Sequence, residues 1–231
     1  MTWQDYIGEL NEIDWQSDSF MFSQAPSLEK LLRQAGSEFE STIRPRIDEI
    51  LSNAALFTEL RPMTEYPRSL MDKFTLYRDP RDRFRVRLHR FWPKCIAGDA
   101  IEKVHSHKWH MSTVILAGSY VERRFNVAAS DDPRRVVLDE SSRDTRTVGQ
   151  SSSLAMGIPH QVHNPSDDEP CLTLFVRGPA LVPAARIYDE ETGEYYETHS
   201  PDPQLRHALR ALSKGDTRFH PMPETTARTT R

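Results

Sequence analysis

The stretch EKVHSHKWHM, residues 102–111, holds three of the chain's nine histidines and leads directly into STVILAG, residues 112–118. Together the two read as a strand running through this region, because aromatic and β-branched residues suit a pleated, half-buried surface. On an extended strand, side chains two apart share a face, so His105 and His107 point one way and Ser106 the other. Two imidazoles placed like this can converge on one metal ion. A third ligand must then come from elsewhere, and the best supplier is LAMGIPHQVHN, residues 154–164, where Gly157 and Pro159 can turn the chain into a new inward-facing strand. His160 and His163 face opposite ways on a regular strand, so one is the ligand and the other is not.

Composition bounds what surrounds this stretch. At 231 residues with 37% apolar side chains, the chain can bury one substantial core and a small helical appendage. Its 30 basic and 34 acidic residues are well mixed and give a net charge of −4, so no basic stripe invites a nucleic acid partner. No apolar run approaches the roughly 20 residues of a membrane helix. MTWQDYIGELNEIDW at the N-terminus is acidic, without the basic and apolar regions of a signal peptide, and the expectation is a soluble cytoplasmic protein with no membrane partner. Cys95 and Cys171 are too few for a disulfide framework and read as reduced packing residues.

The pattern divides the chain at about residues 66 and 200. In the segment 1–66, a helical extension, Leu28, Leu31, Leu32, Phe39, Ile43, Ile47 and Leu51 recur at helical spacings, with Ser27 as N-cap and Gly36 and Pro45 as breaks. This extension would cap one barrel end or build a homodimer contact. Across 67–200, KFTLYRD, RFRVRLHRFW, STVILAGSYVERRF, RRVVLDE, LTLFVRG and ARIYDEETGEYYE read as short strands of a sandwich or small barrel, with ASDDPRR and NPSDDEP as exposed loops. In 201–231, Leu205, Leu209 and Leu212 mark a short C-terminal helix followed by a polar, mobile tail.

Gly149, Ala155, Gly157, His160 and Asn164 are spaced as in the second cupin motif, which they resemble with Ala155 in place of the usual Pro. Gly98, His105-Ser106-His107 and Gly118 are similar to the first cupin motif, and the two follow in the right order with the loop a cupin would have between them. The resemblance implies a mainly β fold, the cupin double-stranded β-helix or jelly-roll barrel, with an N-terminal α-helical extension and a short C-terminal helix. It selects His160 as the third ligand beside His105 and His107. Where many cupins carry a metal-binding Glu, this chain has Met111 or Ser112. The resemblance therefore narrows to the three-histidine cupins, of which thiol dioxygenases such as cysteine dioxygenase are an example. GIPHQVHN is similar to the thiol-dioxygenase stretch around the third ligand. LYRDPRDRF resembles the segment whose Tyr-x-Arg carries a substrate-carboxylate arginine, here with Tyr77 and Arg78 adjacent. Where those enzymes place a Ser-His-Tyr series, this chain has Thr173, Phe175 and Arg177.

Other residues extend the candidate site. His110 has the opposite parity to the ligands and reads as a catalytic acid or base behind them; only a bulge near Trp109 would make it a fourth ligand. Arg177 reads either as a clamp holding a carboxylate by two hydrogen bonds or as half of a salt bridge at the barrel mouth. Trp109 and Met111 share the inward parity of His107 and read as barrel packing first and as an apolar pocket wall second. Arg85, Arg87 and His89 alternate with Val86, Leu88 and Arg90, a polar row that suits a ligand cavity or the solvent face of an edge strand.

Three neutral imidazoles leave a divalent metal with its full charge and open positions. Fe(II) is the leading expectation, with Zn, Ni or Mn as alternatives. The function expected is a non-haem Fe(II) oxygenase that oxidises a small polar substrate, an amino acid or thiol held by Arg78 or Arg177, with O₂ as co-substrate. The alternatives are a redox-neutral zinc cupin that isomerises or rearranges an amino-acid-derived substrate, and a small-molecule-binding cupin without turnover.

Overall fold

The aromatic and β-branched runs from Met71 onward form eleven strands in the computed structural model, which describes residues 1–132, 135–199 and 213. They are β1 (Met71–Arg78), β2 (Arg85–Phe91), β3 (Val104–His105), β4 (Met111–Ala117), β5 (Ser119–Ala129), β6 (Val136–Thr147), β7 (Ser151–Leu154), β8 (His160–His163), β9 (Cys171–Arg177), β10 (Ala184–Tyr188) and β11 (Tyr195–His199). They make two antiparallel sheets, ordered β1-β2-β9-β4-β7 and β11-β10-β3-β8-β5-β6. From β2 to β10 the chain crosses repeatedly from one sheet to the other, which is the jelly-roll way of protecting sheet edges. The expected mainly β jelly-roll architecture is therefore present. Among the described residues no ladder joins the two sheets, so they form a sandwich rather than a hydrogen-bonded cylinder. The C-terminal helix and tail expected over 201–231 lie, Ser213 aside, outside the described residues.

The N-terminal region supplies α1 (Trp3–Asn11), α2 (Phe20–Ser23), α3 (Ala25–Ser37), α4 (Phe39–Thr42), α5 (Arg44–Ser52) and α6 (Ala54–Leu60), and one turn, α7 (Lys94–Ala97), follows β2. A capping box starts α1: Thr2 Oγ1 accepts from the Asp5 amide at 3.2 Å and Asp5 Oδ2 from the Thr2 amide at 2.9 Å. The expected helix breaks fall after Gly36 and before Pro45. Ser27 is not the N-cap of α3, because Pro26 sits in the first turn and its fixed φ starts the helix two residues before Ser27.

These helices cover the outer face of the five-stranded sheet rather than an open end of the sandwich. Leu28, Leu32 and Ile43 pack against Leu76, Val86, Val114 and Leu174. Arg46 of α5 donates to the Leu76 carbonyl at 2.9 Å. Because Val86 and Leu88 point outward into this core, the alternate residues Arg87 and His89 point between the sheets. β2 is paired on both sides, with β1 and β9, so the edge-strand reading of its polar row does not hold. Cys171 packs against Met71, Ile115 and Val162, and burial pushes its thiol up to about 12; Cys95 is exposed on α7 rather than packed, and both are free thiols. No helix among the described residues is long and apolar enough to cross a membrane.

Candidate metal centre

The opening histidines do not lie on one continuous strand. β3 ends at His105 and β4 begins at Met111, and the chain between them crosses from the six-stranded to the five-stranded sheet. Local propensity sees the β-branched run but not the change of sheet. Ser106 nevertheless faces away as expected: its amide donates to the Arg186 carbonyl at 2.9 Å, and its Oγ accepts from the Arg186 amide at 3.1 Å. That two-sided clasp on β10 leaves His105 and His107 turned the other way. His160, the first residue of β8, is the register partner of His105.

The three imidazoles therefore meet, with ring centroids 4.8 to 5.0 Å apart and one ligand atom from each within 4.8 Å of the others. Their partners fix the tautomers. His105 Nδ1 donates to the Lys103 carbonyl at 2.9 Å and His160 Nδ1 to Glu122 Oε1 at 3.1 Å, so both rings present the lone pair of Nε2 to the centre. His107 Nε2 stands 3.0 Å from His160 Nε2. Burial first, and the neighbouring imidazoles second, hold His105 below and His107 well below the ordinary histidine range, which keeps them in the neutral, ligating form. The donor set fits a divalent metal.

Glu122 on β5 escaped the sequence reading. It is fully buried, with Arg124 at 2.9 Å, Arg146 at 3.3 Å and Ser152 Oγ at 3.2 Å as partners besides His160. Burial alone would raise its pKa, but the His160 hydrogen bond and the guanidinium of Arg124 bring it down to about 2. The carboxylate is thus ionised and points at the back of the His160 ring. The period-two series Tyr120, Glu122, Arg124 was the signal that could have placed it on an inner face.

The histidines line a cavity of about 80 Å³ between the sheets. Trp109 and Met111 pack with Leu154 and Phe175 and also stand in its wall, and so do Arg87 and His89. Arg78, Arg177 and His110 are not. Arg78 is exposed at the end of β1 and paired with Asp82 at 3.3 Å. Arg177 is buried behind Trp109, its guanidinium 4.2 Å from the indole centroid and its Nη1 donating to the Gly178 carbonyl at 2.8 Å. His110 stacks on Phe20 of α2 at 4.3 Å and accepts from the Met156 amide at 3.2 Å. His163 lines a separate cavity of about 330 Å³ beside α7, which shares Met71, Phe91, Glu102 and Val162 with the smaller one.

No protein-family profile and no curated protein matches the chain. Among solved structures it is similar to an RmlC-like cupin protein of Ralstonia eutropha, with 10% identity over 67% of this chain and 82% of that one at a TM-score of 0.38. A protein of unknown function with a cupin-like fold from the same organism gives 18% identity over 63% and 75% of the two chains, again at 0.38. Hydroxypropylphosphonic acid epoxidase from S. wedmorenis gives 11% identity over 46% of this chain and 50% of that one, at 0.36. These are likenesses of fold at low scores.

Proposed function

We propose that the protein is a metal-dependent enzyme with a three-histidine centre, a non-haem Fe(II) oxygenase that oxidises a small amino-acid or thiol-type substrate with O₂. The observation that carries the reading is the convergence of His105, His107 and His160, two of them with the far ring nitrogen already committed to a carbonyl or carboxylate. These three would hold a divalent ion, which when bound would supply Lewis acidity toward a small polar substrate. The chain's own groups prepare the three imidazoles for that role. Glu122 holds the Nδ1 proton of His160 and makes Nε2 a better donor, and the Lys103 carbonyl does the same for His105. Trp109 lies nearly parallel to the His107 ring at 5.6 Å.

The test is metal analysis together with turnover of small thiols and amino acids in air and under argon. Iron in the purified protein and substrate loss matched by O₂ uptake are expected. The same donor set of three neutral imidazoles also suits zinc, so equal conversion under argon would replace the oxygenase with a redox-neutral enzyme. Metal binding without conversion of any substrate would leave a binding protein.

A further inference from the structure

Opposite the histidines, the five-stranded sheet presents a polar wall that the packing of the fold does not explain. Lys73, His89 and Thr173 stand in one row across β1, β2 and β9, and Arg87 occupies the next row between Thr75 and Phe175. All four line the 80 Å³ cavity. His89 is 7% exposed and Thr173 1%, yet His89 Nε2, Thr173 Oγ1 and Arg87 Nε are buried without a hydrogen-bond partner among the described residues. Lys73 has a distant ion pair with Glu65 at 3.8 Å, on a carboxylate that Arg68 approaches to 3.1 Å. Of the two carboxylates in the cavity lining, Glu122 is already held by Arg124, Arg146 and His160, and Glu102 forms no ion pair with Lys73 or Arg87 among the described residues. A buried polar group left unpaired is costly, so several on one wall point to a ligand that pairs them.

We infer that Lys73 and Arg87, with His89 and Thr173 beside them, bind an oxyanion, and that the substrate is a short molecule with a carboxylate or similar oxyanion at one end and a metal-binding donor at the other. This rests on the metal centre proposed above. Lys73 and Arg87 provide the charge and His89 and Thr173 provide hydrogen bonds, an arrangement that neither Arg78 nor Arg177 can make from outside the cavity. Met71, Phe91, Tyr120 and Val162 supply an apolar surface for the carbon skeleton. A cavity of about 80 Å³ beside the histidines suits a short skeleton.

The test uses the full chain loaded with zinc, its zinc content measured first, and two probe thiols: mercaptoacetate, which carries a carboxylate, and 2-mercaptoethanol, which does not. Calorimetric titration is expected to show mercaptoacetate binding about tenfold more tightly to the wild type, and that preference lost in Lys73→Met/Arg87→Met with zinc content unchanged. No preference in the wild type, or an intact one in the double variant, overturns the proposal. Failure of the metal centre is read separately, as absence of zinc. In that case sulfate on the metal-free protein carries the test: it is expected to raise the unfolding midpoint of the wild type above that in chloride of equal ionic strength, and not that of the variant. Equal midpoints in the wild type overturn the proposal. Lys73→Gln and Arg87→Gln, each expected to lose part of the same preference, serve if the double variant does not fold.

Discussion

His89 shows how a single side chain ties the cavity to stability. Burial first, then the charges of Lys73 and Arg87, hold its pKa well below the ordinary histidine value, so it is neutral in the folded chain. An unfolded histidine titrates near pH 6.5. Below that pH the unfolded chain gains a proton that the folded chain refuses, so stability is lost as pH falls and is unaffected by this residue above it. His89→Asn, which cannot titrate, is expected to flatten the dependence of unfolding free energy on pH between about 5 and 6.5 by up to about 1.4 kcal/mol per pH unit. Denaturant unfolding of both proteins in chelator measures it. Equal slopes would mean that His89 is charged in the fold. Glu122 is the complementary case, a buried carboxylate kept ionised by two guanidiniums and a histidine. Its role was not legible in SYVERRF, because only the pairing of β5 with β8 brings Glu122 to His160.

The turn from β4 to β5 gives a glycine of the motif its physical reason. Gly118 has φ +68°, and a Cβ added there would stand 2.6 Å from the Pro170 carbonyl oxygen. Gly118→Ala therefore meets both a left-handed backbone and a backbone clash, and is expected to destabilise the protein by about 1–3 kcal/mol, read as a lower thermal midpoint. An unchanged midpoint would show that the turn can relax. The spacing of Gly118 from His107 was visible in the sequence, whereas the break of the 102–117 strand was not. Val104 and the run from Met111 have the same β character, and nothing local says that they belong to different sheets. Strand existence and inward parity were legible because they depend on near neighbours: Trp109 and Met111 face the cavity, and Ser106 faces away. The positions of Arg78 and Arg177 depend on how whole strands end and pack, which spacing does not encode.

Across the molecule, the N-terminal helices decide what the interior can hold. By covering the outside of the five-stranded sheet they give Val86, Leu88, Val114 and Leu174 an apolar partner, so the sheet is buried on both faces and its inner face can carry Lys73, Arg87, His89 and Thr173. The helical period identified the apolar stripe of this region but not the surface it would meet, which is why a barrel end and a dimer contact were equally readable. The opposite sheet then contributes the histidines, with His160 facing the cavity and His163 facing the larger cavity beside α7. Metal content of wild type, His160→Ala and His163→Ala, each purified without added metal, tests this centre most directly. About one divalent ion per chain is expected in the wild type and in His163→Ala, and a small fraction of that in His160→Ala, which keeps only two of three ligands. Full metal in His160→Ala together with loss in His163→Ala would contradict the three-histidine centre.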